Sequence, residues 1–337
     1  MSLDRRRAAT IEDVARAAGV SRAAVSKVLR NAYGVSPAMR EKVGNAVTEL
    51  GYRPKMAARA LGGRSFSIGI GYSDLGNPFF IRMLSGMLGA LATTPYQAVI
   101  TPTQEGARQG LEALEALIDR QVEGIVAVSP RVAQEEIERI AADTPVVMFG
   151  RHDVSSAYDA VIGDDAEGTV LAMEHLAGLG HRRIAHLTVA ESETLAETPH
   201  NIRRRSYTSF MESLGLAEPV ILLTEEGQDP AYASVAEVLR AGADFTAIFA
   251  AHDDLAIGAL AAVREHRPDI SVVGYDDVPI ARNPAFGLTT VHQPGFEMGA
   301  RAVELVLERL AGRSEAVHEV FAPVLCVRTS SFPPQPI

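Results

Sequence analysis

The 337-residue sequence predicts an α/β fold: an N-terminal three-helix head with a helix-turn-helix, a hinge helix, and two Rossmann-like lobes. Three observations predict it. Residues 10–29 pattern as two short helices joined at one glycine. Residues 1–64 carry 13 Lys and Arg against 5 Asp and Glu, a net charge of +8, whereas the remainder carries 19 against 37 and nets −18. From Ser67 onward, apolar strand-like runs alternate with amphipathic helical stretches, as in parallel sheets covered on both faces.

In the head, Thr10 is placed to cap the first helix, with Asp13 three residues on to return the hydrogen bond. Ile11, Val14, Ala15 and Ala18 share one face at helical spacing. Gly19 suits the positive φ of a turn. Ser21 then caps a second helix whose inner face is Ala24, Val25, Val28 and Leu29. Its outward residues Arg22, Ala23, Ser26 and Lys27 are those a recognition helix presents to the major groove. Ser36-Pro37 starts a third helix, a cap residue followed by proline at the first helical position. That helix runs to about Leu50, with Met39, Val43, Ala46, Val47 and Leu50 as its apolar stripe, and Gly51 ends it. Tyr52-Arg53-Pro54 interrupts, and Lys55–Leu61 has length for two more turns before Gly62-Gly63. A helix so short needs a partner to form in water. The basic head on an acidic body points to a nucleic-acid-binding module.

In the body, strands are expected at Ser67–Gly71, Gln97–Thr101, Gly124–Val128 and Val146–Phe149, with helices near Phe79–Leu91, Gly106–Arg120 and Gln134–Ala141. A second series has strands at Ala160–Gly163, Arg183–Thr188, Val220–Leu223, Ala247–Ala250 and Ser271–Gly274. Its helices lie near Glu167–Leu179, Arg203–Leu214, Tyr232–Ala241 and Leu255–Glu265. Two such series in tandem predict two lobes, and ligands of open α/β sheets bind beyond the carboxyl ends of the strands. The early residues Asp4, Arg5, Arg6 and Arg7 do not resemble a signal peptide, and no run approaches the roughly 20 apolar residues that span a bilayer. A cytoplasmic protein is expected. The single cysteine, Cys326, sits in an apolar segment and reads as a buried small hydrophobe.

Four stretches together resemble the LacI/GalR (lactose/purine repressor) family of bacterial transcription regulators. They are Thr10–Leu29; Val35-Ser-Pro through Gly51-Tyr-Arg-Pro to Leu61; Asn77-Pro-Phe-Phe80; and Val272-Val-Gly-Tyr-Asp-Asp277 with Leu288-Thr-Thr-Val-His-Gln-Pro294. Gly180-His-Arg-Arg-Ile184 is a further family-like segment. The resemblance covers about residues 10–330. It implies a homodimeric, ligand-responsive repressor with lobes of the periplasmic-binding-protein (type I) kind. The head is then 8–53 and the hinge helix and linker 54–64. The first lobe is 65–162 plus 292–320, and the second is 163–291 plus 321–332.

For DNA, the resemblance implies base contacts from Arg22, Ala23 and Lys27 on a near-palindromic double-stranded operator. Thr10, Ser21, Ser26 and Asn31 would hold phosphates. Leu61 matches the leucine wedged into the minor groove. Effector positions fall on Ser73, Asp74, Phe79, Arg151, Arg203, His252, Asp253, Asp276 and Gln293, groups that suit a polyhydroxylated ligand such as a carbohydrate. A nucleobase or nucleoside corepressor is the alternative on the same architecture. Two positions depart from the family pattern: His252-Asp253 stands where Asn-Asp is usual, and Asp164-Asp165 where Asp-Asn is usual.

Other chemistries find less support. Gly69-Ile-Gly71 and Gly76 lack the spacing of a dinucleotide loop. The pairs Asp164/Asp165, Asp253/Asp254 and Asp276/Asp277 lie at strand ends or helix starts, where aspartate is a favoured cap. No G-x-S-x-G motif and no His/Cys spacing of a metal site appears. Neither catalysis, a cofactor nor a metal is expected. A transport-type solute-binding protein would share the lobes but not the head.

Overall fold

A computed structural model describes residues 9–29, 33–52, 64–72, 76–102, 107–190 and 197–335. Two compact units emerge, divided between Ser65 and Phe66.

The first unit holds α1 (Ile11–Ala18), α2 (Arg22–Leu29) and α3 (Pro37–Glu49). The capping box at α1 is complete: Thr10 N–H donates to Asp13 at 2.9 Å, and Asp13 N–H returns to the Thr10 hydroxyl. Gly19 closes the helix at φ +66°, a conformation that only glycine adopts without strain. Ser21 accepts the Ala24 N–H at 3.1 Å and so caps α2, and Ser36 does the same for α3 through Met39. The core of this unit is Val14, Ala15, Val25, Val43, Ala46 and Tyr52. Two expectations are corrected here. Leu29 and Leu50, assigned to inner faces, are each 38% exposed, because both sit at the last turn of their helix beyond the reach of this small core. Tyr52, read only as part of a helix break, is buried and fills the space instead.

The second unit contains two six-stranded sheets. The first comprises β1 (Ser67–Tyr72), β2 (Gln97–Pro102), β3 (Gly124–Val128), β4 (Val146–Phe149), β5 (Asp159–Gly163) and β11 (His318–Phe321). Its order is β11-β5-β4-β3-β1-β2, parallel throughout. The second comprises β6 (Ile184–Val189), β7 (Val220–Thr224), β8 (Ala247–Ala250), β9 (Ser271–Asp276), β10 (Thr289–His292) and β12 (Val324–Cys326). Its order is β12-β10-β9-β8-β6-β7, with β12 alone antiparallel, against β10. Every residue of β1, β3, β4 and β9 is buried, as parallel strands covered on both faces require.

The covering helices are α4 (Pro78–Leu91), α5 (Ala107–Asp119), α6 (Gln134–Ala141), α7 (Asp165–Gly178), α8 (Pro199–Ser213), α9 (Gln228–Arg240), α10 (Asp253–His266) and α11 (Gly295–Leu310). The chain passes between sheets three times: through α7, through α11, and directly from β11 to β12. The second passage is anchored where α4 meets α11. A Cβ on Gly86 would stand 1.9 Å from the Phe296 carbonyl oxygen, and one on Gly299 would stand 2.0 Å from that of Met83. The two helices therefore approach backbone to backbone. Asp159, fully buried in β5, then receives Arg309 at 2.9 Å, Arg313 at 2.7 Å and the Val317 N–H at 2.8 Å. These bonds bring the end of α11 and the start of β11 back to the first sheet.

No described helix is long and apolar enough to cross a membrane. Cys326 is half-buried rather than buried. It lies on β12, the edge strand, where the neighbouring Val324 and Val327 are each 58% exposed.

Candidate functional site

Two faces carry candidate chemistry, one in each unit. In the head, Arg22, Ala23 and Lys27 project from α2 into solvent, and Ser26 is half-buried beside them. Arg22 occupies the first turn of α2, where the helix dipole disfavours a cation. Its Nη1 lies 3.2 Å from Glu12 Oε1, an ion pair with both side chains about two-thirds exposed. Water screens such a pair heavily, so it opens readily to an anionic partner. The Thr10 hydroxyl is engaged with Asp13 at 2.7 Å, and the Ser21 hydroxyl with the α2 cap.

In the body, the carboxyl ends of the second-lobe strands surround Arg203, which lies on the second turn of α8 and is 4% exposed. Its Nε and Nη2 both reach Asp165 Oδ1, at 2.8 and 2.7 Å, and Nη1 donates to the Ala251 carbonyl. The guanidinium lies 3.6 Å over the Tyr275 ring. The other oxygen of Asp165 takes His152 Nε2 at 2.7 Å. Burial works against the charge on Asp165, but Arg203 and His152 outweigh it and hold the carboxyl below its ordinary range. The same attraction raises Arg203 despite its burial.

Asp276 completes this group. Its Oδ1 accepts Gln293 Nε2 at 2.8 Å and stands 3.9 Å from Arg203 Nη2. Asp276 and Asp277 have φ of +105° and +51°, two consecutive non-glycine residues in a region that costs each about 1–3 kcal/mol. The turn is pinned by Arg282 and Arg328, each 2.5 Å from Asp277. It points Asp276 away from its own strand toward Arg203 and Gln293. Burial raises the Asp276 carboxyl, against the pull of Arg203 and His252. Gln293 crosses so close to Gly163 that a Cβ there would lie 2.1 Å from its Oε1.

Beside Arg203 lies an imidazole cluster. His252, the N-cap residue of α10, places Nε2 2.8 Å from Glu226 Oε2, and His200 on the first turn of α8 places Nε2 3.8 Å from Glu226 Oε1. The two rings meet edge to face at 5.5 Å. Burial pulls His200 down to about 4. His252 is pulled down by burial, but the Glu226 carboxylate more than compensates and raises it. Below them in β6, His186 stacks on Tyr207 and Phe249 at 5.1 and 5.0 Å and hydrogen-bonds the Phe249 carbonyl through Nδ1. Burial pulls it down to about 3.

Residues 10–55 match the model of the bacterial regulatory proteins of the lacI family, and residues 173–331 match the periplasmic binding protein-like domain. The HTH-type transcriptional regulator GalS of Salmonella typhimurium is 33% identical over 331 residues, covering 95% of this chain and 96% of that one. A Lac repressor structure bound to ONPG superposes with a TM-score of 0.82 at 25% identity, covering 96% of this chain and 100% of that one. The transcriptional regulator CelR in complex with cellobiose superposes with a TM-score of 0.69 at 27% identity, covering 96% and 100%. The chain belongs to the lacI family. It is a ligand-responsive, DNA-binding transcriptional regulator and not an enzyme.

Within this lacI-family body, the expected effector residues separate into two groups. Arg203, Asp276, Gln293 and His252 converge as described. Arg151 and Asp253 are instead bonded to neighbouring backbone and side chains. Arg151, 3% exposed, donates to the carbonyls of Pro130 (3.0 Å) and Val132 and pairs with Asp153. It braces the loop after β3. Asp253, fully buried, accepts the Val278 N–H at 2.8 Å and the Thr290 hydroxyl at 2.5 Å, joining α10 to the ends of β9 and β10. Burial raises its carboxyl well above the usual range. Phe79 is 6% exposed and packs on Phe80, Phe149 and Gly295. Ser73, Asp74, Asn31 and Leu61 lie outside the described residues, as does the expected hinge helix.

His152, His200, Glu226 and Tyr275 were not among the site residues the sequence nominated, and Asp165 stood out there as a helix-start aspartate and a departure from the family pattern. One signal was present for His200: Thr198-Pro199 repeats the cap-then-proline signature of Ser36-Pro37, and it starts α8 four residues earlier than expected. The partners of Arg203 leave no local trace, since Asp165 lies 38 residues away.

Proposed function

We propose that this regulator is a homodimeric repressor of carbohydrate-utilisation genes, acting in the cytoplasm on nucleoid DNA. A sugar or sugar derivative held between the lobes is its effector. The observation that carries the effector reading is the convergence of Arg203, Asp276 and Gln293 at the carboxyl ends of the second-lobe strands. A fixed guanidinium, a carboxylate and an amide, with the Tyr275 ring behind them, are the donors and acceptors that vicinal hydroxyls require. The cellobiose bound to the similar CelR regulator supports the same class. The lobes divide at 65–162 plus 292–320 and 163–291 plus 321–332, a division consistent with the sheet membership of β11 and β12.

On DNA, Arg22 and Lys27 donate to guanine O6/N7, and Ala23 leaves room or meets a thymine methyl group. Thr10, Ser21, Ser26 and Asn31 position the head on phosphates. Two heads on a two-fold axis read a near-palindromic operator. The segment 54–64 pairs with its copy as a hinge helix, with Leu61 entering the minor groove. The effector alters lobe closure and thereby the pairing of the hinges, which requires that it prefer one arrangement. A thermal-shift panel on the full chain tests the effector class. Monosaccharides, disaccharides or their phosphates should raise the body's melting temperature. Stabilisation by nucleobases or amino acids alone would overturn the sugar reading.

A further inference from the structure

Beside Arg203, His200 and Glu226, which the effector reading leaves unused, join the expected effector residue His252 in one donor set. His200, Glu226 and His252 each bring one ligand atom to within 4.8 Å of the other two. They come from three places: the start of α8, the turn after β7 and the N-cap of α10. All three follow the carboxyl ends of adjacent strands, because β7, β6 and β8 are neighbours in the second sheet. The sequence separations exceed any short metal-ligand motif, so no spacing rule reveals the trio. Only the parallel topology assembles it.

His200 and His252 both place Nε2 nearest Glu226, and His252 is only 3% exposed. Their Nδ1 atoms, on the other side of each ring, are buried and have no hydrogen-bond partner among the described residues, so no bond there fixes either ring's orientation. Glu226, 45% exposed on its side chain, keeps the cluster open to solvent.

We propose that His200, Glu226 and His252 bind a divalent transition-metal ion of the zinc class. Two imidazoles and one carboxylate form the N₂O donor set suited to such ions. Calcium and magnesium prefer oxygen ligands throughout and are disfavoured here. Metal–ligand bonds of about 2.0–2.2 Å set donors roughly 3.3–4.4 Å apart, so modest side-chain rotation closes the trio around an ion. Three protein ligands leave at least one coordination position for an oxygen donor. The ion ties together the starts of α8 and α10 and the turn after β7. Because α8 carries Arg203, metal binding stiffens the rim on which the effector group is built.

The test uses the full chain with any affinity tag removed, stripped with chelator and dialysed. Zinc chloride is titrated by calorimetry, and cobalt(II) binding is followed by its visible absorption. One ion per chain is expected, with a higher melting temperature and cobalt bands of a four- or five-coordinate nitrogen–oxygen site. Magnesium and calcium should show no saturable binding. Glu226→Gln and His200→Gln change partly exposed side chains and should each weaken zinc at least about tenfold while leaving the circular dichroism spectrum unchanged. His252→Asn should do the same, and Glu226→Gln with His200→Gln should abolish binding. Absence of stoichiometric zinc binding by the parent chain overturns the proposal. So does undiminished binding by the folded double variant, which would place the metal elsewhere. Neither result bears on the sugar reading, which the effector panel tests in metal-free buffer.

Discussion

The head and the body place their proposed DNA-reading and effector residues on opposite sides of the solvent boundary. In the head, Arg22, Ala23 and Lys27 stand exposed on a helix held by a core of six buried residues. In the body, Arg203, Asp165, Asp276 and Gln293 are all at most 5% exposed and bonded to one another. The difference follows from the partners. Duplex DNA is large, charged and external, and long-range attraction by mobile cations serves it well. A small ligand must be enclosed, so its contacts are desolvated and need a fixed frame of opposing charges. A head residue is therefore separable from the fold, and a body residue is not.

The strongest way to break this contrast is to remove Arg203. Arg203→Met should destabilise the body by about 3–5 kcal/mol, because Asp165 and Asp276 would remain buried without their cation. Urea unfolding of the full chain, followed by a probe in the body, measures the loss. A cost below about 1 kcal/mol would mean that the buried charges are not held by Arg203.

Next in size is a pH effect confined to the body. The folded-state value of His186 is depressed to about 3, against an ordinary value near 6.5. Between those values the unfolded chain takes up a proton that the folded chain refuses. Stability is therefore fully present above pH 6.5 and is lost as pH falls toward 3, by an amount on the order of a few kcal/mol. His200, lowered to about 4, adds in the same direction. Replacing His186 with Phe, which keeps the stack on Tyr207 and Phe249, should flatten the decline in urea midpoint between pH 7 and pH 4.5. An unchanged slope would place the acid sensitivity in other groups.

How much of this was legible before the structure depends on how far apart the interacting residues lie in the chain. The caps Thr10, Ser21 and Ser36 act over three residues and could be read directly. Strands such as Gly124–Val128 and Ala247–Ala250 match residue for residue, because a buried parallel strand is a short apolar run. The last part of the chain was harder. The strand–helix alternation does not mark β10, α11, β11 and β12, where the chain changes sheets and an antiparallel edge strand breaks the pattern. The site was hardest. That Arg203 would meet Asp165, or that Arg151 would be spent on the loop after β3, depends on loop paths that leave no periodic signal.

A smaller effect probes the head on its own terms. Thr10→Ala removes the half of the capping box in which the Thr10 hydroxyl accepts the Asp13 N–H, and should cost the head about 1 kcal/mol. Amide exchange should speed up across α1 to α3 while the body's protection is unchanged, since the two are separate compact units. Equal loss in both would show that they unfold together.

The smallest stability effect carries the sharpest form of the comparison. Arg22→Ala opens an ion pair with Glu12 that is about two-thirds exposed on both sides, so stability should change by no more than about 0.5 kcal/mol. It also removes a cation from the unfavourable end of the α2 dipole, which offsets part of even that small loss. Base preference should nevertheless shift at one position of each half-site, by about 1–3 kcal/mol of discrimination, when bound duplexes are selected from a random pool. An unchanged consensus would remove Arg22 from base reading. A loss of binding that is uniform across sequences, with a shallower salt dependence, would make it a phosphate contact instead. Either result leaves the fold intact, an experiment that Arg203 does not permit.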